Sequence, residues 1–383
     1  SAGNIGGGGF MVYHGDDGHA TTFDFREKAP LAATERMYLG LDGNVVANSN
    51  HIGALAVGVP GTVAGLWKAH QELGSLPWAE LVAPAVKLAR DGIPISYSLY
   101  TGFARSKGRF DQYPSSAAKF FKTDGSLYEM GETWRQPDLA HTLELIQNNG
   151  ADGFYKGENA ERLAGFMVDI GGIITEEDLL KYEPQEREPI RGTYRGYDIV
   201  SMPPPSSGGV ILVEMLNILE GFDLADMGHN SADYLHVLTE TMRRAYADRA
   251  EHLGDPDFNE GMPLQRLMDK DYAETLRASI DMDAASQSSP ADFAQIYESE
   301  ETTHFSIVDK EGNMVSMTYT LEFGYGSGIV VEGGGYLLNN EMGDFNAVPG
   351  VTTARGLIGT APNLIEPEKR PLSSMTPTIV AKD

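Results

Sequence analysis

Four consecutive residues, Glu301-Thr302-Thr303-His304, offer the most distinctive chemistry in this chain. The sequence has no cysteine, which excludes a thiol nucleophile, disulfides and thiolate metal sites, and no GxSxG turn presents a serine. A hydrolytic nucleophile must then be Ser, Thr or a carboxylate. Residues 281–301, DMDAASQSSPADFAQIYESEE, are small and polar and read as an exposed, cleavable linker, and an alternating strand pattern begins where they end. Cutting the Glu301–Thr302 bond would give Thr302 a free α-amine, with a pKa of about 8, on the same residue as its hydroxyl. One residue would then supply both nucleophile and general base. On pattern alone, a Thr pair at a strand start is first of all a pair of β-branched strand formers.

Other chemistry-bearing clusters read as structural. The predicted helix from Ser231 to Leu253 carries His236, Glu240, Arg243, Arg244 and Asp248 but no HExxH. A His and a Glu four residues apart there make a polar face or a buried hydrogen bond, and no metal is expected. Gly3 to Gly9 run into the alternating Phe10-Met11-Val12-Tyr13. A dinucleotide site needs strand, glycines, then helix, and a phosphate loop needs GxxxxGK[ST]; with neither present, these glycines imply close backbone packing, and no cofactor is expected.

Composition bounds the partners. Among 383 residues, 29 Lys+Arg stand against 55 Asp+Glu, for a net charge of −26 spread along the chain. Such a charge opposes non-specific binding to nucleic acid or to an anionic membrane and favours solubility. The most apolar stretch, Ile52 to Trp67, is interrupted by Pro60 and glycines and falls short of the ~20 residues a membrane span needs. The first residues, SAGNIGGGGFMVYH, show neither a basic n-region nor an apolar h-region, so no signal peptide is visible.

Several elements must position these groups. Gly53 to Gly92 predicts two helices, 137–168 a further helix, and Thr175-Glu-Glu-Asp178 a capping box. Tyr194 to Met202 alternates as a strand, broken by Pro203-Pro-Pro-Ser-Ser-Gly-Gly209 before the apolar helix Val210 to Leu219, with Ser206 and Ser207 placed as N-caps. His304–Asp309 and Met314–Leu321 form a hairpin about the turn Lys310–Asn313. Strands at Gly328–Val331, Gly335–Leu338 and Thr376–Asp383 complete the pattern.

The segment around Thr302 resembles the γ-glutamyltransferase family of N-terminal nucleophile hydrolases. The similarity runs through most of the chain in the family's order: GNIGGGGFMVY, FDFREKAP, PGTVAGL, PPPSSGG, AYADRAEHLGDPDF, TTHFSIVDKEGN, GSGIVV, LLNNEMGDF and KRPLSSMTPTIV. The resemblance implies an α+β, four-layer αββα sandwich, made as one precursor that cuts itself before Thr302. The products are a large subunit, 1–301, and a small one from 302, held as a heterodimer. Thr302 would attack the γ-glutamyl amide of glutathione or a similar donor and pass the acyl group to water, an amino acid or a peptide. Thr320 matches the family's second threonine, which positions the first. Arg26, Ser373 and Ser374 match the residues that meet the donor's α-carboxylate, and Glu341 and Asp344 those that face its α-ammonium. A planar Arg fork suits a carboxylate, and paired acids suit a cation.

The chain departs from the family pattern in places. Glu322 stands where Asn is usual two residues after the second threonine, adding negative charge beside the ammonium site and favouring tighter amine binding or a different donor. Arg355, in the lid-like segment AVPGVTTARGLIG, replaces a common aromatic gate residue. The sequence begins within a glycine motif and ends at Asp383, before the Gly-Gly pair whose amides form the family's oxyanion hole. It therefore reads as a fragment truncated at both ends, with an exposed sheet edge and impaired maturation. Two other readings stand beside γ-glutamyl transfer: a related acylase acting on a cephalosporin side chain or γ-polyglutamate, and a non-catalytic member that binds γ-glutamyl compounds. Bacterial relatives are exported, which implies a periplasmic or extracellular location.

Overall fold

The computed structural model describes residues 3–288, 302–350 and 360–382. Among the described residues the strands are β1 (Gly8–His14), β2 (Ala20–Asp24), β3 (Ile93–Pro94), β4 (Thr133–Trp134), β5 (Gln185–Arg187), β6 (Ile190–Tyr194), β7 (Tyr197–Ser201), β8 (Thr302–Val308), β9 (Met314–Thr320) and β10 (Thr378–Ala381). One antiparallel sheet has the order β5-β2-β1-β9-β8 and a second the order β10-β7-β6, while β3 and β4 pair as a short ribbon.

The alternation of β1 sorts its side chains between two layers. Phe10 and Val12 pack with Val200 and Ile379 of the second sheet and with Met202 just after β7. Met11 turns the other way, with Phe23 and Met317, onto Leu66 and Ala69 of the helix Thr62–Leu73. On the outer face of the second sheet, Ile190 and Ile199 meet Val210, Ile211 and Val213 of the helix Gly208–Leu219, and Ala245 of the helix Ala232–His252. Helix, sheet, sheet and helix thus stack in that order, as expected for an αββα sandwich.

The N-terminal glycines let β1 lie flush on its neighbour. A Cβ at Gly7 would sit 2.0 Å from the Thr320 carbonyl oxygen, and one at Gly9 would sit 2.4 Å from that of Thr318. Close packing is therefore their role.

Local signals decided most boundaries, with three corrections. Thr175 and Asp178 form the expected capping box. Residues 137–168 are three helices, Pro137–Asn149, Asp152–Tyr155 and Gly157–Asp169, because Gly150 and Gly157 take φ of +61° and +60° and break the run. The predicted strand 194–202 is the second arm of a hairpin, turned by Arg195 and Gly196 at φ +50° and +83°. The segments 328–331 and 335–338 pair only through a bridge between Val330 and Leu337, since Gly328, Gly333 and Gly335 curl the chain at positive φ.

Candidate active site

The β8–β9 pairing sets Thr302 opposite Thr320 and His304 opposite Thr318. Residues two apart share a face, so these four side chains form one polar patch at the end of the sheet. His304 Nδ1 lies 2.7 Å from Thr318 Oγ1, and its Nε2 lies 3.1 Å from Ser306 Oγ. Thr320 Oγ1 accepts the Glu322 backbone N–H at 3.0 Å, fixing the turn that follows β9, where Glu322 sits at φ +75°. From β1's approach, Asn4 Nδ2 donates to the Thr320 carbonyl at 2.9 Å.

This patch is one wall of a cleft of about 360 Å³. Arg26, Glu322, Glu341 and Asp344 line a second wall, and Ser373, Ser374, Met375 and Thr376 a third. Every described residue that the sequence singled out for the site therefore lines one cavity. Glu301 and Arg355 lie outside the described residues.

Arg26 leaves β2 fully buried, its backbone N–H held by Asp24 and its carbonyl by the Tyr182 hydroxyl. Its guanidinium donates to Glu341 Oε2 at 2.5 Å, to Asp344 and, through Nε, to the Pro371 carbonyl at 3.3 Å. Glu27 Oε2 stands 3.5 Å away. Burial opposes the arginine's charge, but Glu341, Asp344 and Glu27 more than offset it and raise the pKa. The arginine and the acids expected to divide a donor's two charges between them are thus bonded to each other.

The acids outnumber the arginine. Burial pushes the Glu27 carboxyl up to about 8 against the pull of Arg26. Glu341 is also raised well above the ordinary range, chiefly by burial, and Glu322 by burial together with the charges of Asp344 and Glu341. Both Glu27 oxygens, Glu322 Oε2 and Glu341 Oε1 are buried without a hydrogen-bond partner among the described residues. Unsatisfied acceptors of this kind are rare in folded chains, and those of Glu322 and Glu341, which line the cleft, suit an incoming donor group such as an ammonium. On the outer side, His51 Nδ1 lies 3.2 Å from Glu322 Oε1 and its ring stacks on Phe323, 5.4 Å between centroids.

Sequence reading missed Glu27, His51 and Thr318, and named His304 without giving it a role. Glu27 adjoins Arg26 and His304 follows Thr302 by the strand period, so both carried a local signal; His51 is 271 residues from Glu322 and carried none. The expectation for Ser207 also needs correction. Ser207 is the N-cap of its helix but makes no side-chain capping bond. Its Oγ donates instead to the Ser373 carbonyl at 2.7 Å, whereas that of Ser206 accepts the Gly208 N–H at the helix start at 3.1 Å, as expected, while donating to the Met375 carbonyl at 2.6 Å. Both serines tie the helix start to the third wall of the cleft. Glu240 likewise holds Arg244 and Ser286, the buried polar role expected of it.

The Gamma-glutamyltranspeptidase family model matches residues 1–383. The chain belongs to that family. Over its whole length it is 48% identical to the glutathione hydrolase proenzyme of Escherichia coli K12, covering 66% of that protein. The crystal structure of Helicobacter pylori gamma-glutamyltranspeptidase superposes with a TM-score of 0.73 at 44% identity, over 74% of this chain and 81% of that one. A cephalosporin acylase from Bacillus halodurans superposes at 0.80 with 27% identity, over 99% of this chain and 67% of that one. The chain spans about two thirds of the length of the curated relatives it matches. These relatives are named as enzymes, several as proenzymes, and the αββα sandwich is the architecture of this gamma-glutamyltranspeptidase family member. Among the described residues no helix is long and apolar enough to cross a membrane.

Proposed function

We propose that the cleft carries out γ-glutamyl transfer and hydrolysis through Thr302, after scission of the Glu301–Thr302 bond leaves a large part, 1–301, and a small part, 302–383, associated. The observation that carries this reading is the convergence of Thr302 and its cross-strand partner Thr320 on a cavity that also holds one buried arginine and a surplus of buried acids. That wall fits a zwitterionic α-amino acid head group. The donor's α-carboxylate takes an arm of the Arg26 fork and the hydroxyls of Ser373 and Ser374, while its α-ammonium takes the carboxylates of Glu341 and Asp344. Internal ion pairs are exchanged for pairs with the ligand, so little charge is left unpaired at any stage.

With the head group held, the γ-carbonyl points to the threonine pair. The α-amine of Thr302 takes the hydroxyl proton as Oγ1 bonds the carbonyl carbon; the amide C–N bond then breaks and the proton passes to the leaving amine. The resulting ester on Thr302 is opened by water, or by an acceptor amine, and Oγ1 recovers its proton. Thr320, anchored by the Glu322 N–H, keeps the nucleophile in place. An exported location belongs to the same proposal, on family resemblance.

Intact mass under denaturing conditions, paired with hydrolysis of γ-glutamyl-p-nitroanilide, tests the reading. Two species matching 1–301 and 302–383 are expected in the parent and a single species in Thr302→Ala, with at least a thousandfold loss of hydrolysis. Equal activity in both chains would refute it. The acylase reading is favoured by the likeness to the cephalosporin acylase. Preference for a glutaryl substrate, which lacks the ammonium, would select it.

A further inference from the structure

One buried guanidinium outside the cleft lining bonds to a residue that lines it. Arg249 sits in the last turn of the helix Ala232–His252 and is 6% exposed. Its Nε donates to Ser207 Oγ at 2.8 Å and its Nη2 to Ser374 Oγ at 3.0 Å. The two hydroxyls belong to different segments, the start of the helix Gly208–Leu219 and the third wall of the cleft. Those segments already lie flush: the Ser207 N–H and Oγ both donate to the Ser373 carbonyl at 2.7 Å, the Ser373 N–H donates to the Pro205 carbonyl at 2.9 Å, and a Cβ at Gly208 would strike Thr376 Oγ1 at 1.8 Å. Arg249 bonds to both segments without itself lining the cavity.

A hydroxyl that accepts a bond from a cation has its oxygen fixed and its O–H polarised. At Ser207 this is visible, since its oxygen accepts from Arg249 while its proton goes to the Ser373 carbonyl. Ser374 accepts from the same guanidinium and lines the cleft.

We propose that Arg249 is a positioning residue for donor recognition: by fixing Ser374 and the Ser207–Ser373 contact, it turns the serine pair into a preset anion acceptor and sets the preference for ligands bearing an α-carboxylate. This rests on the donor-binding reading above and deepens it. Arg249 touches no reacting atom; it acts through Ser374. A guanidinium fork spans two hydroxyls at once, which a lysine ammonium on a single stem does less well.

The test is calorimetric titration of the purified chain with L-glutamate and with 4-aminobutanoate, which keeps the amine but lacks the α-carboxylate. The parent is expected to bind L-glutamate more tightly by tenfold or more. Arg249→Gln should weaken L-glutamate about tenfold while leaving 4-aminobutanoate within twofold, and Arg249→Lys should recover part of the loss. Ser374→Ala should resemble Arg249→Gln, and the double variant should lose no more than either alone. A purely structural role would weaken both ligands together and add to Ser374→Ala. Unchanged L-glutamate binding in Arg249→Gln, or additive losses in the cycle, overturns the inference. Absence of L-glutamate binding in the parent overturns instead the donor-binding reading beneath it. If Arg249→Gln does not fold, the Arg249→Lys and Ser374→Ala cycle reads the same coupling.

Discussion

Glu27 should make the stability of this chain fall as pH rises, and Glu27→Gln should remove that dependence. The carboxyl is completely buried beside Gly8, where a Cβ would come within 2.6 Å of its Oε2, and neither oxygen has a hydrogen-bond partner among the described residues. Burial raises its pKa from 4.5 to about 8, with Arg26 only partly offsetting the cost of ionisation. The folded chain therefore holds a proton that the unfolded chain releases above pH 4.5. The stabilisation is fully present below pH 4.5 and is lost as pH climbs through about 8. At ~1.4 kcal/mol per pH unit, the window corresponds to a loss of about 3–5 kcal/mol, part of it shared with the neighbouring acids Asp344 and Asp24. Urea unfolding at pH 5, 7 and 9 measures it. Gln keeps the shape and cannot ionise, so Glu27→Gln should match or fall slightly below the parent at pH 5 and exceed it at pH 9 by a few kcal/mol. Parallel pH profiles for the two chains, differing in slope by less than about 1 kcal/mol over that range, would refute the reasoning.

Two further substitutions probe the threonine pair through its supports. Gly7→Ala forces a methyl to within 2.0 Å of the Thr320 carbonyl and 2.7 Å of Asn4 Oδ1, and should cost about 3 kcal/mol in urea unfolding while lowering turnover, because β1 must shift against β9. Thr320→Val keeps the shape but leaves the buried Glu322 N–H without its acceptor. It should cost about 1–3 kcal/mol and slow γ-glutamyl-p-nitroanilide hydrolysis by roughly tenfold or more, with Thr320→Ser restoring most of both.

The hairpin that presents the nucleophile was legible in the sequence because every force shaping it is local. Alternation defines two strands and Lys310 to Asn313 close them; the structure then sets the register, Val308 opposite Met314 and so Thr302 opposite Thr320. The capping box at Thr175 and the helices beyond Gly53 were legible for the same reason. Where glycines took positive φ, as at Gly150 and Gly333, periodicity alone ran through a break that the backbone makes.

By itself, then, the sequence determined which side chains could act and that a hairpin begins where Thr302 stands. Only the tertiary structure decided their company. It brought Arg26 to acids more than 300 residues away, set Glu27 among them, and turned the hydroxyl of Ser207 from a helix cap into a tie to the cleft wall. It also ran Arg249 behind Ser374. These outcomes depend on burial. A carboxyl keeps its proton, and a hydroxyl chooses its partner, according to how much water the packed sheets and helices leave around it, and that quantity is a property of the assembled layers.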